Sequence, residues 1–427
     1  MVKLFRGRLR WVLIFWMFLM GAISFLDRVN ISIAGQAVQS DFNISNVQLG
    51  YVFSAFVIGY ALFQVPGGRL ADRFGPRRVI TIGVLWWSLF TTFTALVPTG
   101  LGISLWMLAG VRFLLGIGEA VVYPASNRLV ANWIPTTERG TANGFIFAGV
   151  GAGAGITPPL ITYILVNWGW HWSFYISAVI GAVAGGAWYL LARDTPWEHP
   201  WINKKEIAHI EAGLPAPAEV LGAHKVAPWG AVLRNRSIGF LALSYFTYGY
   251  SAFIFFSWFF IYLSRVRGLD LKASSFYSML PFLAMATCSP LGGWTADVVT
   301  RRYGRRAGRC GIGVLGLAGA AVLIALATQV ESARIASIFL ACGVGSLYLA
   351  QSSYWAVTAD IAGASAGSVS GLMNMGGQIG GALTATLTPM IADSFGWTAS
   401  FLTAAGLCAI GSIAWLFVNP NVQLGRD

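Results

Sequence analysis

Charge is scarce in this sequence, and histidine and cysteine are scarcer still. Only 10% of the 427 residues are Asp, Glu, Lys or Arg, against roughly 25% in a soluble domain. That deficit excludes a chain whose whole surface meets water. The 4 histidines (His171, His199, His209, His224) and the 4 cysteines (Cys288, Cys310, Cys342, Cys408) are scattered without metal-ligand spacing. No metal site and no disulfide framework is expected from them. A nucleophile elbow and a phosphate-binding P-loop are also missing, which argues against a membrane enzyme. No cofactor is expected. In place of charge stand 56% hydrophobic residues, 51 glycines and 18 tryptophans. Glycine is tolerated in packed membrane helices and tryptophan gathers at membrane interfaces, so the composition is that of an integral membrane protein.

A hydrocarbon core needs about 20 apolar residues per helix. Apolar runs of that length predict an all-α chain with twelve transmembrane helices, six near 11–35, 47–66, 79–98, 103–130, 141–166 and 172–193. Six more follow near 238–264, 274–297, 309–328, 333–358, 366–393 and 397–418. The first run is too long for a signal-peptide core and reads as an uncleaved span. Most of the 28 Lys+Arg fall on one side of this topology, leaving Arg265, Arg267, Lys272 and Arg334 for the other. By the positive-inside rule both termini are cytoplasmic. The formal charge of +12 therefore calls for membrane lipids as neighbours, not nucleic acid. A Pro-rich and charged stretch divides the chain into an N-terminal bundle (1–193), a cytoplasmic loop (194–237) and a C-terminal bundle (238–427), with one short surface helix around Lys204–Ala212. The halves repeat each other: "GGRLADRFGPRR" (Gly67–Arg78) follows the second span, and "GGWTADVVTRRYGRR" (Gly292–Arg306) follows the eighth. Parallel six-helix repeats suit a protein that rocks two halves around a site at the membrane midplane.

Charges inside a span are costly and normally face a partner or a wet cavity. Four lie well inside the predicted spans, all in the first half: Asp27, Arg28, Arg112 and Glu119. Arg112 and Glu119 share a helix face about 10.5 Å apart along the axis, too far to neutralise each other directly. Asp27 and Arg28 diverge by about 100°. If Arg28 faces a cavity, Asp27 turns towards a neighbouring helix such as the fourth. Inside the spans of the second half the polar residues are mostly neutral: Tyr245, Tyr248, Tyr250, Ser257, Ser352, Ser353, Asn374 and Gln378. This division assigns charge handling to one half and hydrogen-bond recognition largely to the other. A carboxylate balanced between burial and a nearby Arg is suited to taking up and releasing a proton, which makes Asp27 and Glu119 candidates for proton coupling. The planar fork of Arg28 suits a carboxylate substrate, and Arg112 is expected to face the cavity with the substrate-binding residues, holding one of the acids or completing a gate. In the repeated loops, Asp72 is expected to pair with Arg77 or Arg78 and the start of the following helix. Asp297 is expected to pair with Arg301, Arg305 or Arg306, and both acids to latch the halves on the cytoplasmic side. Arg73 and the "ERG" at Glu138, Arg139 and Gly140 complete that set.

"GGRLADRFGPRR" resembles the signature loop of the major facilitator superfamily. "FLDRVNISIA", "RFLLGIGEAVVYPASNRLVANWIPTTERGTANG" and "NMGGQIGGALTATLTP" are similar to its anion:cation symporter branch. The resemblance covers the whole chain. It implies a proton-coupled symporter for a sugar acid (aldonate, hexuronate or aldarate) in a bacterial inner membrane, working as a monomer with protons as the coupling ion. It further implies that Asp27 and Glu119 are protonation sites, that Arg28 binds substrate carboxylate, and that Tyr60 faces substrate. Asn374 and Gln378 share a helix face and belong to the same pocket, although Gln378 departs from the family's usual Asn. The alternatives are an aromatic or dicarboxylic acid carrier of the same branch and a proton-coupled drug efflux antiporter.

Overall fold

The structure, a computed structural model, describes residues 8–214, 227–259, 262–269 and 271–424. Most of the basic leader, the middle of the central loop and Arg426 lie outside these residues, as do the side chains of Arg265 and Lys272. Regular structure among the described residues is helical throughout. The first half holds α1 (Leu9–Phe42), α2 (Asn46–Phe74), α3 (Pro76–Leu96), α4 (Ser104–Ala120), α5 (Val122–Trp133), α6 (Arg139–Trp168) and α7 (Trp170–Leu191). Two short helices follow, α8 (Lys204–Gly213) and α9 (Trp229–Arg234). The second half holds α10 (Arg236–Ser257), α11 (Leu271–Tyr303), α12 (Ile312–Gln329), α13 (Ala333–Ala362), α14 (Ala366–Phe395) and α15 (Trp397–Leu416). Among the described residues, ten stretches are long and apolar enough to cross a membrane. One of them, Ala333–Phe395, contains both α13 and α14, and α11 is not among the ten.

The breaks have local causes. Pro124 has no N–H to give and its ring crowds the carbonyl four residues back, so the fourth apolar run splits at Val121 into α4 and α5. The first loop is tighter than the sequence suggests: Asn43 closes α1 in the left-handed region (φ 50°) and Ser45 opens α2 with a capping box to Gln48. Each repeated loop turns on a glycine at φ 87°, Gly75 in the first half and Gly304 in the second, a conformation that L side chains resist.

Packing follows the same plan in both halves. Helix α1 packs on α6, α2 on α4 and α3 on α7, while α10 packs on α14, α11 on α13 and α12 on α15. The most extensive packing between the halves is of α6 with α11 and of α2 with α14, while α5 also touches α13 and α14, and α6 touches α13. Glycines permit these approaches, as small residues do wherever membrane helices pack without a hydrophobic driving force. On α6, Gly149 and Gly153 meet the backbone of α1, whereas Gly144 and Gly151 meet α11. The run "GVGAGAG" is therefore a two-sided packing surface. In the signature loops, Gly67 packs inside its own half against Val121, and Gly292 likewise against Leu349. The second glycine of each pair crosses over: Gly68 lies against the Gly367 carbonyl, and Gly293 against that of Gly140.

Candidate functional site

A cavity of about 530 Å³ lies where the two halves meet. Its first-half wall includes Phe25, Arg28, Tyr60, Tyr123 and Phe147, and its second-half wall includes Tyr245, Tyr248, Tyr348, Gln351, Asn374 and Gln378. Arg28 is the cation on this wall among the described residues. Its guanidinium carbon sits 4.1 Å from the Tyr60 ring centroid and also faces Phe25 and Phe56, at 5.2 and 5.4 Å. Its Nε donates to Glu119 Oε1 at 2.8 Å, and Nη2 has no partner. The Ser24 hydroxyl donates to the same Glu119 oxygen, leaving Oε2 unpaired.

Asp27 turns away from the cavity, as the 100° divergence requires. It is 2% exposed, and neither carboxylate oxygen makes a hydrogen bond. Its electrostatic neighbours are Glu119 and Arg112 of α4, with the indole of Trp87 on α3 beside it. Arg112 is also 2% exposed, leans on the Phe56 ring at 5.1 Å and has two unpaired nitrogens. It does not line the cavity. Contrary to the expectation that it faces substrate, it is held back by α2, whose Phe56 it shares with Arg28. The four buried charges thus form one cluster with zero formal charge, of which Arg28 alone reaches the cavity.

The second-half wall is uncharged. Tyr245 Oη accepts from Gln351 Nε2 at 3.1 Å and Trp355 Nε1 at 3.3 Å, and Gln351 Oε1 is left without a partner. Gln378 and Asn374 both line the cavity. Asn374 Nδ2 donates to Gln64 Oε1 of α2 at 2.8 Å, a direct bond between the halves. Sequence reasoning passed over Gln64, Gln351, Phe56 and Trp87. Gln64 could have been found, since it stands four residues after Tyr60 and so shares its helix face.

Below the cavity the halves are tied together. Asp72 accepts from the backbone of Gly367 (2.9 Å) and Ser368 (2.7 Å) and from the Ser368 hydroxyl (2.6 Å), capping α14 of the opposite half. Asp297 repeats this on α6, accepting from Gly140 (3.0 Å), Thr141 (2.6 Å) and the Thr141 hydroxyl (2.6 Å). The pairing expected for Asp72 is corrected: its cation is Arg128 at 3.9 Å, and the Arg77 N–H is taken by Asp194. The turn at Gly75 sends the start of α3 elsewhere. For Asp297 the cation is Arg309 at 2.6 Å, because the π-helical turn Arg306–Gly311 carries Arg309 inward, while Arg301 donates to the Thr137 carbonyl. Arg139 pairs with Asp360 of α13 at 2.6 Å, and Arg309 lies 3.5 Å from the other Asp360 oxygen. Arg73 is exposed over Phe74, and Arg77 donates to the Tyr189 carbonyl within its own half. Glu138 binds Arg10 and His209, joining the start of α1 to α8, where Glu206 accepts from the Leu9 and Arg10 backbone. Burial alone would raise the Glu138 carboxyl, but hydrogen bonds from Arg10 and His209 outweigh it and hold the group below its usual value.

Residues 17–385 match the family model of the Major Facilitator Superfamily. The chain is 34% identical over 410 residues to a probable sulfoacetate transporter of Cupriavidus necator, covering 95% of this chain and 92% of that protein. It is 32% identical over 415 residues to a hexuronate transporter of Bacillus subtilis, covering 96% and 94%. Similarity to a D-galactonate transporter of Escherichia coli is 28% over 434 residues, covering 98% and 97%. The fold matches that of the proton:xylose symporter XylE with a TM-score of 0.74 at 15% identity, across 98% of both chains. The chain therefore belongs to the major facilitator superfamily: it is a membrane transporter, not an enzyme.

Proposed function

We propose that this transporter imports an organic anion together with protons, the anion being a sugar acid of the aldonate, hexuronate or aldarate class. In this reading twelve spans form two six-helix bundles, 1–193 and 238–427, which rock about the central cavity. Residues 194–237 join them, both termini face the cytoplasm, and the protein works as a monomer in a bacterial inner membrane. The names of the hexuronate and D-galactonate relatives support the substrate class.

The observation that carries the proposal is the Arg28–Glu119 bond at the cavity wall. An ionised Glu119 holds the guanidinium through Nε. A proton on Glu119 weakens that hold and leaves the fork free to grip a substrate carboxylate, with Tyr60 stacked on it to fix its plane. Adding an anion to a cluster of zero formal charge leaves one uncompensated negative charge, and one proton removes it. Asp27, sensing Arg112 and Glu119, is the second protonation site. Asn374, Gln378 and the tyrosines of the second half read the hydroxyls. The capped ends of α6 and α14 close the cytoplasmic side, with Asp72, Arg128, Arg139, Asp297, Arg309 and Asp360 as the latch.

The test is uptake into proteoliposomes with an imposed pH gradient. Glu119→Gln is expected to abolish gradient-driven accumulation while leaving counterflow. Arg28→Ala is expected to lose binding by more than about tenfold, since truncating one partner of a buried charge pair costs about 2–5 kcal/mol. Accumulation by Glu119→Gln at the wild-type level would sink the coupling role. A second reading, import of a short organosulfonate, is favoured by the name of the Cupriavidus relative.

A further inference from the structure

The relatives' names span substrates with one acid group and with two, hexuronate and D-galactonate against galactarate/D-glucarate and sulfoacetate. The charges on the cavity wall decide between them. Arg28 is the one cation among the described lining residues, and its Nε is already committed to Glu119. Arg112, the other buried cation nearby, rests on Phe56 off the wall. Protonating both Asp27 and Glu119 would balance the net charge of a dianion, but it would not bring Arg112 to the surface of the cavity.

The opposite wall is shaped for hydroxyls. Gln351 lines this wall at 3% exposed, and its acceptor oxygen is buried with no partner. The Tyr245 oxygen already accepts two hydrogen bonds, so its own proton is what remains to offer. Gln378 adds a neutral amide that both donates and accepts. An unpaired carbonyl oxygen welcomes an O–H and repels a carboxylate. A second acid group placed there would be a desolvated charge without a counter-ion.

We infer that this cavity selects monocarboxylates whose remaining polar groups are hydroxyls, and discriminates against dianions, both aldarates and sulfocarboxylates such as sulfoacetate. The inference rests on the sugar-acid reading above and narrows it. The carboxylate docks on Arg28, and the hydroxylated chain extends towards Gln351 and Gln378.

The test is calorimetric binding by the purified full-length transporter at neutral pH, with pairs matched in skeleton. Gluconate and glucarate differ only in whether the terminal carbon is an alcohol or a carboxylate. Benzoate and phthalate form a pair without hydroxyls, and sulfoacetate is measured alongside. The expected result is glucarate at least about tenfold weaker than gluconate, with sulfoacetate equally weak. Gln378→Lys places a cation on the second-half wall and is expected to raise the ratio of glucarate to gluconate affinity by at least about tenfold, whatever gluconate loses with the amide; an unchanged ratio overturns the inference. Glucarate or sulfoacetate binding as tightly as gluconate overturns the inference. If neither sugar acid binds, the sugar-acid reading falls, and tighter phthalate than benzoate binding then overturns the charge rule as well. A panel in which nothing binds overturns both.

Discussion

Asp27 and Arg28 are neighbours in sequence, yet Arg28 lines the cavity and Asp27 is buried behind it, facing Arg112 and Trp87. That separation makes their losses distinguishable. Asp27 touches no cavity ligand, so Asp27→Asn is expected to keep anion affinity within about threefold while gradient-driven accumulation falls at least about tenfold. Binding calorimetry and proteoliposome uptake on one preparation read the two effects separately. If Asp27 served only to neutralise Arg112 for packing, breaking the pair would cost about 3–5 kcal/mol. The variant would then melt earlier and transport normally per folded molecule. Much of this site was legible residue by residue. Charges stand out in an apolar run, and helical geometry alone assigns Asp27 and Arg28 to different faces. Neutral groups carry no such contrast: Gln351 looks like an ordinary polar residue until its unpaired oxygen is seen in a side chain that lines the cavity, although Gln64 could be reached through its spacing from Tyr60. Arg112 shows the limit in the other direction, since periodicity gives its helix face but not that Phe56 of α2 covers it.

At the scale of helices, the Gly-Gly and Asp of each signature loop form one joint. The first glycine seats the helix on its own half, the second lets it touch the other half, and the Asp, on the same face one turn later, caps the helix it meets there. The repeat in the sequence announced that these residues act together. It could not say that each Asp caps a helix of the opposite half, because sequence distance favoured the arginines nearby. A side chain at position 68 would run into the Gly367 carbonyl and push α2 from α14. Gly68→Val is expected to cost the closed arrangement about 1–3 kcal/mol by overpacking, a shift of roughly tenfold in favour of separation. Spin labels at positions 74 and 303, both exposed in the native chain, report it once the four native cysteines are replaced. A longer mean distance in Gly68→Val supports the joint, and an unchanged distribution refutes it.

Across the whole molecule two groups of charged contacts stand apart from the set that ties Arg10 to Glu138 and Glu206 at the start of α1. The cluster of Asp27, Arg28, Arg112 and Glu119 sits within the first half, where Arg28 and Glu119 are 2.8 Å apart. The lower group runs between halves, where Asp360 bridges Arg139 of α6 and Arg309 beside α12. Both arginines are almost fully buried, at 2% and 0% exposed. In a rigid protein, removing their shared acid would cost about 3–5 kcal/mol, because Arg139 would stay buried without a carboxylate while Arg309 kept only Asp297. A transporter that rocks has another outlet. Opening this end returns both guanidiniums to water, so the cost cannot exceed the few kcal/mol that separate the closed and open arrangements. Asp360→Asn is therefore expected to lower the melting temperature only slightly and to lengthen the distance between labels at positions 74 and 303. A large fall in melting temperature with an unaltered distance would mean that the two halves do not part at this end, and that the bridge serves stability alone.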